Sequence, residues 1–246
     1  MVKLAKQGRR RFRKSLRAWQ VDRAAGLPPW LARRFGPAVN HLDLWLVDYG
    51  VIRELYGNLH QVADGLWRSA QPAPRHLRAA ARRGVRTVIN LRGAEQHGSY
   101  WLEQAVCAEL GLDLVDLRLR SRAAPSRADM ANVRARIAAI DGPTLVHCKS
   151  GSDRTGLFCA FYLIFRKGVP VAEARRQLSF RYGHVSITKT GILDYIFDDY
   201  LAFNAHTPMP FGEWLDIAYD PPALTARFRA ENWRRRMARV FGRPEE

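Results

Sequence analysis

Hydrophobic residues follow two alternating patterns through the middle of the chain, from about Val62 onward. Short runs of β-branched or alternating apolar residues are typical of strands, whereas apolar residues spaced three and four apart are typical of helices. The first pattern predicts strands at residues 65–70, 86–91, 112–119 and 144–147. The second predicts helices at residues 74–83, 100–110, 127–140, 155–166, 171–181, 190–204 and 221–241. This alternation predicts an α/β fold with a central, mostly parallel sheet flanked by helices.

Two segments before this alternating region predict a helical extension at the N-terminal end, and the helix predicted over residues 221–241 forms one at the C-terminal end. Within residues 1–21, basic side chains surround three apolar ones at helical spacing, Phe12, Leu16 and Trp19. Such a basic amphipathic helix suits an anionic membrane surface, and the alternative is a solvated terminal tail. Residues 40–56 are apolar at helical spacing and are expected to pack against the body. We therefore divide the chain into a basic N-terminal arm with a packing helix (residues 1–61), a central domain (62–204) and a C-terminal helical extension (205–246).

The chain carries a large positive charge, with 40 lysine and arginine residues against 23 acidic ones and a net charge of +17 at pH 7. Residues 1–40 hold eleven of these basic residues and a single acid, and a second arginine-rich stretch lies at 227–243. A field of this sign attracts nucleic acids, anionic lipid head groups and phosphorylated substrates. Because the basic arm has neither aromatic residues in an RNP-like pattern nor a helix-turn-helix pattern, we expect no specific nucleic-acid binding.

Hydrophobicity and cysteine content indicate in which compartment of the cell we expect the protein. The longest stretch without a charged or strongly polar residue, Leu157–Phe165, has nine residues, whereas a membrane span needs roughly 20. No apolar segment follows the basic N-terminal residues, so we expect no secretory signal. The three cysteines, at positions 107, 148 and 159, lack the number and spacing of a disulfide framework or a structural zinc site. We therefore expect a protein of the cytoplasm, or one bound peripherally to the inner face of the membrane.

The segment with the clearest chemical meaning is residues 144–156, TLVHCKSGSDRTG. An apolar strand leads directly into Cys148, Gly151 lies in the middle of the following loop, and Arg154 stands just before an apolar helix. A cysteine six positions before an arginine is weak evidence by itself in a chain so rich in arginine. The other two cysteines have no arginine at this spacing, and the strand, glycine and helix around the pair make it specific.

Each part of this segment suits the binding of a phosphate dianion. A strand–loop–helix turn directs backbone N–H groups into one concavity at the positive end of a helix dipole. Arg154 can bind two phosphoryl oxygens with its planar fork, and the N–H groups lower the pKa of Cys148. The hydroxyl of Thr155 can donate to the thiolate, which can attack phosphorus and form a thiophosphate that water hydrolyses, without a metal or cofactor. The residues expected to surround the phosphate are Lys149, Ser150, Gly151 and Ser152.

Two upstream stretches add to this pattern, residues 67–72 (WRSAQP) and 84–92 (GVRTVINLR). Together with residues 147–156 (HCKSGSDRTG), they resemble the dual-specificity type of the protein tyrosine phosphatase superfamily, in its atypical bacterial branch. The similarity covers about residues 62–185. It implies that the central domain, residues 62–204, is a cysteine phosphatase domain with a dual-specificity phosphatase-like fold.

The same resemblance assigns roles within the loop. It implies that Cys148 is the nucleophile, that Arg154 clamps the phosphate and that Thr155 assists the leaving thiolate. The backbone N–H groups of residues 149–154 would form the cradle for the phosphate.

The sequence leaves open which group protonates the leaving oxygen. The family usually places an aspartate in the loop after the preceding strand, but here that loop, residues 120–126, contains no acid. Asp153 resembles the arrangement in some phosphoinositide phosphatases and is the first candidate. Asp116 is the second, and another group or none is the third. Asp129 is expected to complement a helix dipole instead.

Two substrate classes fit these features: phosphoproteins carrying phosphotyrosine, with phosphoserine or phosphothreonine as further substrates, and membrane phospholipid head groups. The basic arm and Lys149 favour a substrate at a membrane surface, although a basic surface also suits phosphopeptides. The alternative function is that of a pseudo-phosphatase, a binding module that captures phosphate with little or no turnover.

Overall fold

The computed structural model of the chain describes residues 57–94 and 98–241, the last ten of them by their backbone alone. The expectations for the basic arm (residues 1–21) and the packing helix (residues 40–56) fall outside the described residues. In the described part, no helix is both long enough and apolar enough to cross a membrane.

Five short strands in the described residues form one mixed sheet with the order β1-β2-β5-β3-β4. β1 runs antiparallel to β2, and the other neighbouring strands are parallel. The mostly parallel central sheet expected from the sequence is therefore confirmed. The strands are β1 (His60–Ala63), β2 (Leu66–Ser69), β3 (Thr87–Asn90), β4 (Asp113–Asp116) and β5 (Thr144–His147).

Eight α-helices in the described part of the chain flank this sheet, which confirms the α/β fold class. The longer helices begin and end within two residues of the predicted bounds. They are α1 (Pro74–Arg82), α2 (Gly98–Leu110), α3 (Arg127–Ala138), α4 (Asp153–Lys167), α5 (Val171–Ala174), α6 (Ile192–His206), α7 (Phe211–Ile217) and α8 (Pro221–Phe241).

Successive residues of the central strand β5 pack on opposite faces of the sheet. Val146 joins the larger hydrophobic core, which contains α4, whereas Leu145 joins a smaller core that includes residues of α1 and α2. All residues of Leu157–Tyr162 in α4 are buried, and burying one large apolar side chain stabilises the fold by about 1.5–3 kcal/mol. This packing fixes the start of α4 relative to the end of β5.

The third predicted strand is shorter than expected, because β4 ends at Asp116. The chain nevertheless stays beside the neighbouring strand: the N–H of Leu117 donates to the carbonyl of Asn90, and that of Leu119 to the carbonyl of Leu91. These two bonds bring the loop that follows β4 next to the residues that follow β3.

The prediction of one helix over residues 171–181 is wrong. α5 ends at Ala174, and the chain continues through short 3-10 helices at Arg175–Gln177 and Phe180–Tyr182. A tertiary contact overrides the helical pattern, because the carbonyl of Gln177 accepts a hydrogen bond from the buried Arg68 at 2.9 Å.

Part of the C-terminal segment packs in the same core as the sheet. Trp214 of α7 and Tyr219 are buried in the larger core. Arg127 of α3 holds the end of α7 through its guanidinium, which donates to the carbonyls of Asp216, Ile217 and Tyr219. The domain boundary between residues 204 and 205 stays a prediction, while side chains from both sides of it share one core.

Candidate active site

The segment that connects β5 to α4 lies at the carboxyl end of the central strand of the sheet. We call residues 148–154 the cysteine loop. β5 pairs with β2 on one side and β3 on the other, so the loop is flanked by the residues that follow both strands. The carboxyl ends of parallel strands are the usual place for a binding site in an α/β sheet.

Gly151 makes the tight curvature of the cysteine loop possible. Its φ angle is +72°, in the left-handed region that side chains rarely allow. A β-carbon at this position would also lie 2.6 Å from the carbonyl carbon and oxygen of Ser69 and 2.7 Å from the nitrogen of Ala70. A glycine is therefore needed both for the backbone angle and for the close approach of the loop to the end of β2.

The sulfur of Cys148 lies at the floor of the loop, in a side chain that is only 1% exposed. Burial by itself would raise the pKa of this thiol, but the guanidinium of Arg154, the hydroxyl of Thr155 and the N–H groups of Thr155 and Gly151 outweigh burial and lower the pKa. By contrast, burial raises the pKa of Cys159 to about 11. The loop thus favours a thiolate at Cys148 in particular.

Four successive carbonyl oxygens of the cysteine loop are held by hydrogen-bond donors from neighbouring segments. Because these donors lie outside the curve of the loop, they fix each peptide plane from behind. The pairs are the N–H of Gln71 with Lys149 O at 3.3 Å, Asn58 Nδ2 with Ser150 O at 2.9 Å, Arg68 Nη2 with Gly151 O at 2.7 Å, and Arg68 Nη2 with Ser152 O at 3.3 Å.

The N–H groups of the same peptide planes point the other way. In a planar trans peptide unit the C=O and N–H bonds have opposite directions, so a carbonyl held from outside turns the next N–H inward. The N–H of Gly151, which follows the carbonyl of Ser150, does donate to the sulfur of Cys148. Within residues 57–94 and 98–241, no N–H group of residues 150–155 donates to a backbone oxygen. Of these groups, the N–H of Gly151 and that of Thr155 donate to the sulfur of Cys148, and an anion in the cup can accept hydrogen bonds from the others.

Arg154 and Thr155 complete the surroundings of the sulfur. Nη1 of Arg154 donates to the carbonyl of Leu91 at 3.4 Å, while its buried Nε has no hydrogen-bond partner among the described residues. The hydroxyl of Thr155 is fully buried and has no hydrogen-bond partner of ordinary geometry among the described residues, and its position beside the sulfur lowers the pKa of Cys148. A guanidinium nitrogen that is buried and still able to donate is what a phosphate oxygen requires.

The side chains of the predicted phosphate-binding residues differ in position. Gly151 and Ser152 are buried, Lys149 is half-buried and Ser150 is exposed. The hydroxyl oxygens of Ser150 and Ser152 lie 2.6 Å apart. We therefore expect these four residues to bind phosphate mainly through their backbone N–H groups.

Asp153 belongs to a cluster that the sequence did not indicate. Oδ1 of Asp153 lies 2.7 Å from Nδ1 of His184, and Nε2 of the same imidazole lies 2.5 Å from Oδ2 of Asp194. Burial favours the neutral imidazole, but hydrogen bonds to the two carboxylates outweigh it and raise the pKa of His184 to about 9. The cluster ties the first turn of α4 to the loop before α6.

Asp116, the second candidate acid, and Asp129 have partners of their own. Asp116 accepts hydrogen bonds from Nδ2 of Asn90 and from the hydroxyl of Tyr100. Asp129 forms a capping box with Ser126 at the start of α3, as expected for a first-turn charge.

A buried polar network surrounds His147, the residue directly before the cysteine loop. Nε2 of His147 lies 2.6 Å from Oε1 of Glu103, and both side chains are fully buried. Oε2 of Glu103 accepts from Nε2 of Gln71, whose Oε1 accepts from Arg92 at 2.7 Å. The stretches WRSAQP and GVRTVINLR thus supply Gln71 and Arg92 to a network that holds His147, the residue directly before the cysteine loop.

Part of this chain is similar to known proteins. Residues 56–192, more than half of the chain, match the family described as "DSP-PTPase phosphatase fused to NAD+ Kinase". The dual specificity protein phosphatase TpbA of Pseudomonas aeruginosa is 33% identical over 113 residues, which cover 45% of this chain and 48% of TpbA. The chain thus spans about half the length of the curated relatives it matches.

Solved structures of similar proteins include TpbA of P. aeruginosa in complex with pTyr, with a TM-score of 0.44 and 23% identity over 71% of this chain and 91% of TpbA. A putative phosphatase of Shewanella putrefaciens has a TM-score of 0.47 and 22% identity over 61% of this chain and 95% of its own.

Proposed function

This chain belongs to the dual-specificity-type protein tyrosine phosphatase family, and we propose that it is a cysteine-dependent phosphatase that hydrolyses phosphomonoesters through a phosphocysteine intermediate. The observation that carries the proposal is the lowered pKa of Cys148 at the floor of a cup of inward-facing N–H groups. The curated relative TpbA, a dual specificity protein phosphatase, supports the same class of reaction.

The proposed reaction has two displacement steps at phosphorus. The thiolate of Cys148 attacks in line, so that an S–P bond forms as the P–O bond to the leaving group breaks. The guanidinium of Arg154 and the N–H groups of the loop hold the three equatorial oxygens. Water then attacks phosphorus, the S–P bond breaks, inorganic phosphate departs, and the hydroxyl of Thr155 stabilises the released thiolate.

We assign the protonation of the leaving oxygen to Asp153. Its carboxyl group is partly exposed at the first turn of α4, directly before Arg154, and contacts His184. Because the pKa of His184 is raised to about 9, its imidazole is protonated at neutral pH, donates to the carboxyl group of Asp153 and holds it in place. The proton that Asp153 gives to the leaving oxygen is returned by the water that attacks phosphorus in the second step. Asp116 is the second candidate for this role.

Phosphotyrosine in proteins is the first substrate class in this proposal, with phosphoserine and phosphothreonine as further substrates. The relative named a dual specificity protein phosphatase supports this class. A phenolate is also an easier leaving group than an alkoxide, so phosphotyrosine depends less on the general acid.

Membrane phospholipid head groups are the second substrate class, and one surface feature favours them. Of the five large hydrophobic side chains exposed in the described chain, three lie in one loop: Phe180, Val185 and Ile187. Exposed basic residues, Arg181 and Lys189, lie in the same loop. Apolar side chains beside basic ones suit an anionic lipid surface. The proposed docking of the basic N-terminal arm on such a membrane would act in the same direction.

Phosphate release from a panel of three substrates tests this proposal. The panel contains a phosphotyrosine peptide, a phosphoserine peptide and a phospholipid with a monoester head group in anionic vesicles. We expect the largest kcat/KM for the phosphotyrosine peptide. Asp153→Asn is expected to lower turnover of the phosphoserine peptide by about 100-fold, and that of the phosphotyrosine peptide by less.

The other outcomes of this panel have defined meanings. Release confined to the vesicles would assign the site to phospholipids. Binding of inorganic phosphate with no release from any of the three substrates would make the protein a phosphate-binding module. An unchanged Asp153→Asn variant beside an impaired Asp116→Asn variant would move the general acid to Asp116.

A further inference from the structure

We propose that Arg68 is a positioning residue of the cysteine loop, which turns the N–H groups of Ser152 and Asp153 toward the bound phosphate. This inference rests on the proposed function, because it assigns a task to Arg68 in that same site. Among the described residues, the hydrogen bonds of Arg68 go to Gln177 and to backbone carbonyls of the loop and not to the sulfur of Cys148, so we expect it to act through the backbone of the loop.

The guanidinium of Arg68 is fully buried behind the loop. Nη2 donates to the carbonyls of Gly151 at 2.7 Å and Ser152 at 3.3 Å. Nη1 donates to both the carbonyl and the side-chain oxygen of Gln177, at 2.9 and 2.7 Å. The ring of Tyr182 covers the guanidinium, 3.7 Å from its central carbon. Arg68 therefore joins the cysteine loop to the segment after α5.

The loop needs hydrogen bonds that fix its backbone, because it contains Gly151 in a left-handed conformation. A glycine can exchange between several backbone conformations, some of which would turn the adjoining carbonyls into the cup. A carbonyl oxygen facing the phosphate would repel it, whereas an N–H attracts it. By holding the carbonyls of Gly151 and Ser152 from behind, Arg68 selects the conformation in which the next two N–H groups face the anion.

An arginine suits this task better than a lysine. Its planar fork presents separate nitrogens in fixed directions, so that Nη1 and Nη2 can serve two different segments at once. A lysine would keep the positive charge but offers a single nitrogen, which cannot reach both pairs of acceptors in the same geometry.

The test compares Arg68→Lys with wild type in two measurements. Calorimetry with inorganic phosphate measures the affinity of the cup, and turnover of p-nitrophenyl phosphate measures kcat. We expect phosphate affinity to fall about tenfold and kcat to fall about 100-fold, in the range seen when one oxyanion donor is lost.

Arg127→Lys is the matched control, because Arg127 also donates to backbone carbonyls, at the end of α7. We expect it to lower the Tm and to leave phosphate affinity and kcat at the wild-type values. Equal phosphate affinity and equal kcat in Arg68→Lys and wild type would overturn the proposal.

Two further measures keep the test decisive. If Arg68→Lys does not fold, Gln177→Ala removes one of the acceptors that hold Arg68, and we expect phosphate affinity about threefold below wild type. An unchanged affinity in that variant would refute the role of Arg68. Calorimetry needs no turnover, so an inactive wild type would count against the proposed function and leave the test of Arg68 intact.

Discussion

Cys148→Ser is expected to reduce the rate of phosphate release by roughly 10⁴- to 10⁶-fold, which is the usual size of the rate loss when an enzyme loses its nucleophile. The hydroxyl of a serine does not ionise near neutral pH, even beside Arg154 and the N–H groups of the loop, so the variant lacks an active nucleophile. The same groups still face the cup, and inorganic phosphate is therefore expected to bind with nearly wild-type affinity. Steady-state turnover of a phosphotyrosine peptide and calorimetry with phosphate measure the two effects separately.

Cys107→Ser is the control for this substitution. Cys107 is also buried, but burial raises the pKa of its thiol to about 12, and it lies in α2 within the smaller core. We expect Cys107→Ser to keep wild-type kcat/KM once its folded fraction is taken into account. Equal kcat/KM values for Cys148→Ser and wild type would remove the basis of the proposed function.

Arg154→Lys is expected to lower kcat/KM by about 10³-fold. A lysine preserves the charge that helps to lower the pKa of Cys148, but it replaces the planar fork with a single ammonium group. The equatorial oxygens of the phosphoryl group then lose one of two parallel hydrogen bonds in the transition state. The measurement is kcat/KM for p-nitrophenyl phosphate, together with the pH dependence of that value.

Arg166→Lys provides the matched control, because Arg166 lies in the last turn of the same helix and donates to the carbonyl of Ile140 at 3.0 Å. Wild-type kcat/KM is expected for this variant. A similar loss in the two variants would mean that the effect of Arg154→Lys comes from a damaged α4 and not from the phosphate clamp.

The cysteine loop could be predicted from the sequence because its determinants are local. The apolar run of β5, the glycine inside the turn and the apolar start of α4 follow one another within residues 144–156. Backbone geometry then fixes where the N–H groups point, and the position of Cys148 between the strand and the helix follows from it. The same local signals placed four of the five strands in the described part of the chain, all but β1, and most of the helices.

The side chains that brace the loop could not be found in this way. Arg68 and Asn58 meet the loop from 83 and 92 positions away in the chain. In a chain with 40 basic residues, the pattern of charges does not distinguish one buried arginine from the exposed ones. WRSAQP carried a signal only as part of a resemblance, without a role for its arginine.

The contact between His184 and Asp153, the proposed general acid, is likewise a long-range contact that the sequence pattern does not reveal. The sequence placed Asp153 beside Arg154 but did not indicate that an imidazole from the segment before α6 would contact its carboxyl group. The helix predicted over residues 171–181 failed for a related reason, since the segment between α5 and α6 is shaped by contacts with Arg68 and Asn58.

The pH dependence of the alkylation of Cys148 by iodoacetamide tests the central claim most directly, with the modified site identified by mass spectrometry. The pKa values of Cys107 and Cys159 are raised to about 12 and about 11, so these buried thiols should react slowly throughout. For Cys148, the account expects a midpoint well below the ~8.5 of a free cysteine, and protection by inorganic phosphate. A midpoint at or above ~8.5 with no protection by phosphate would contradict it.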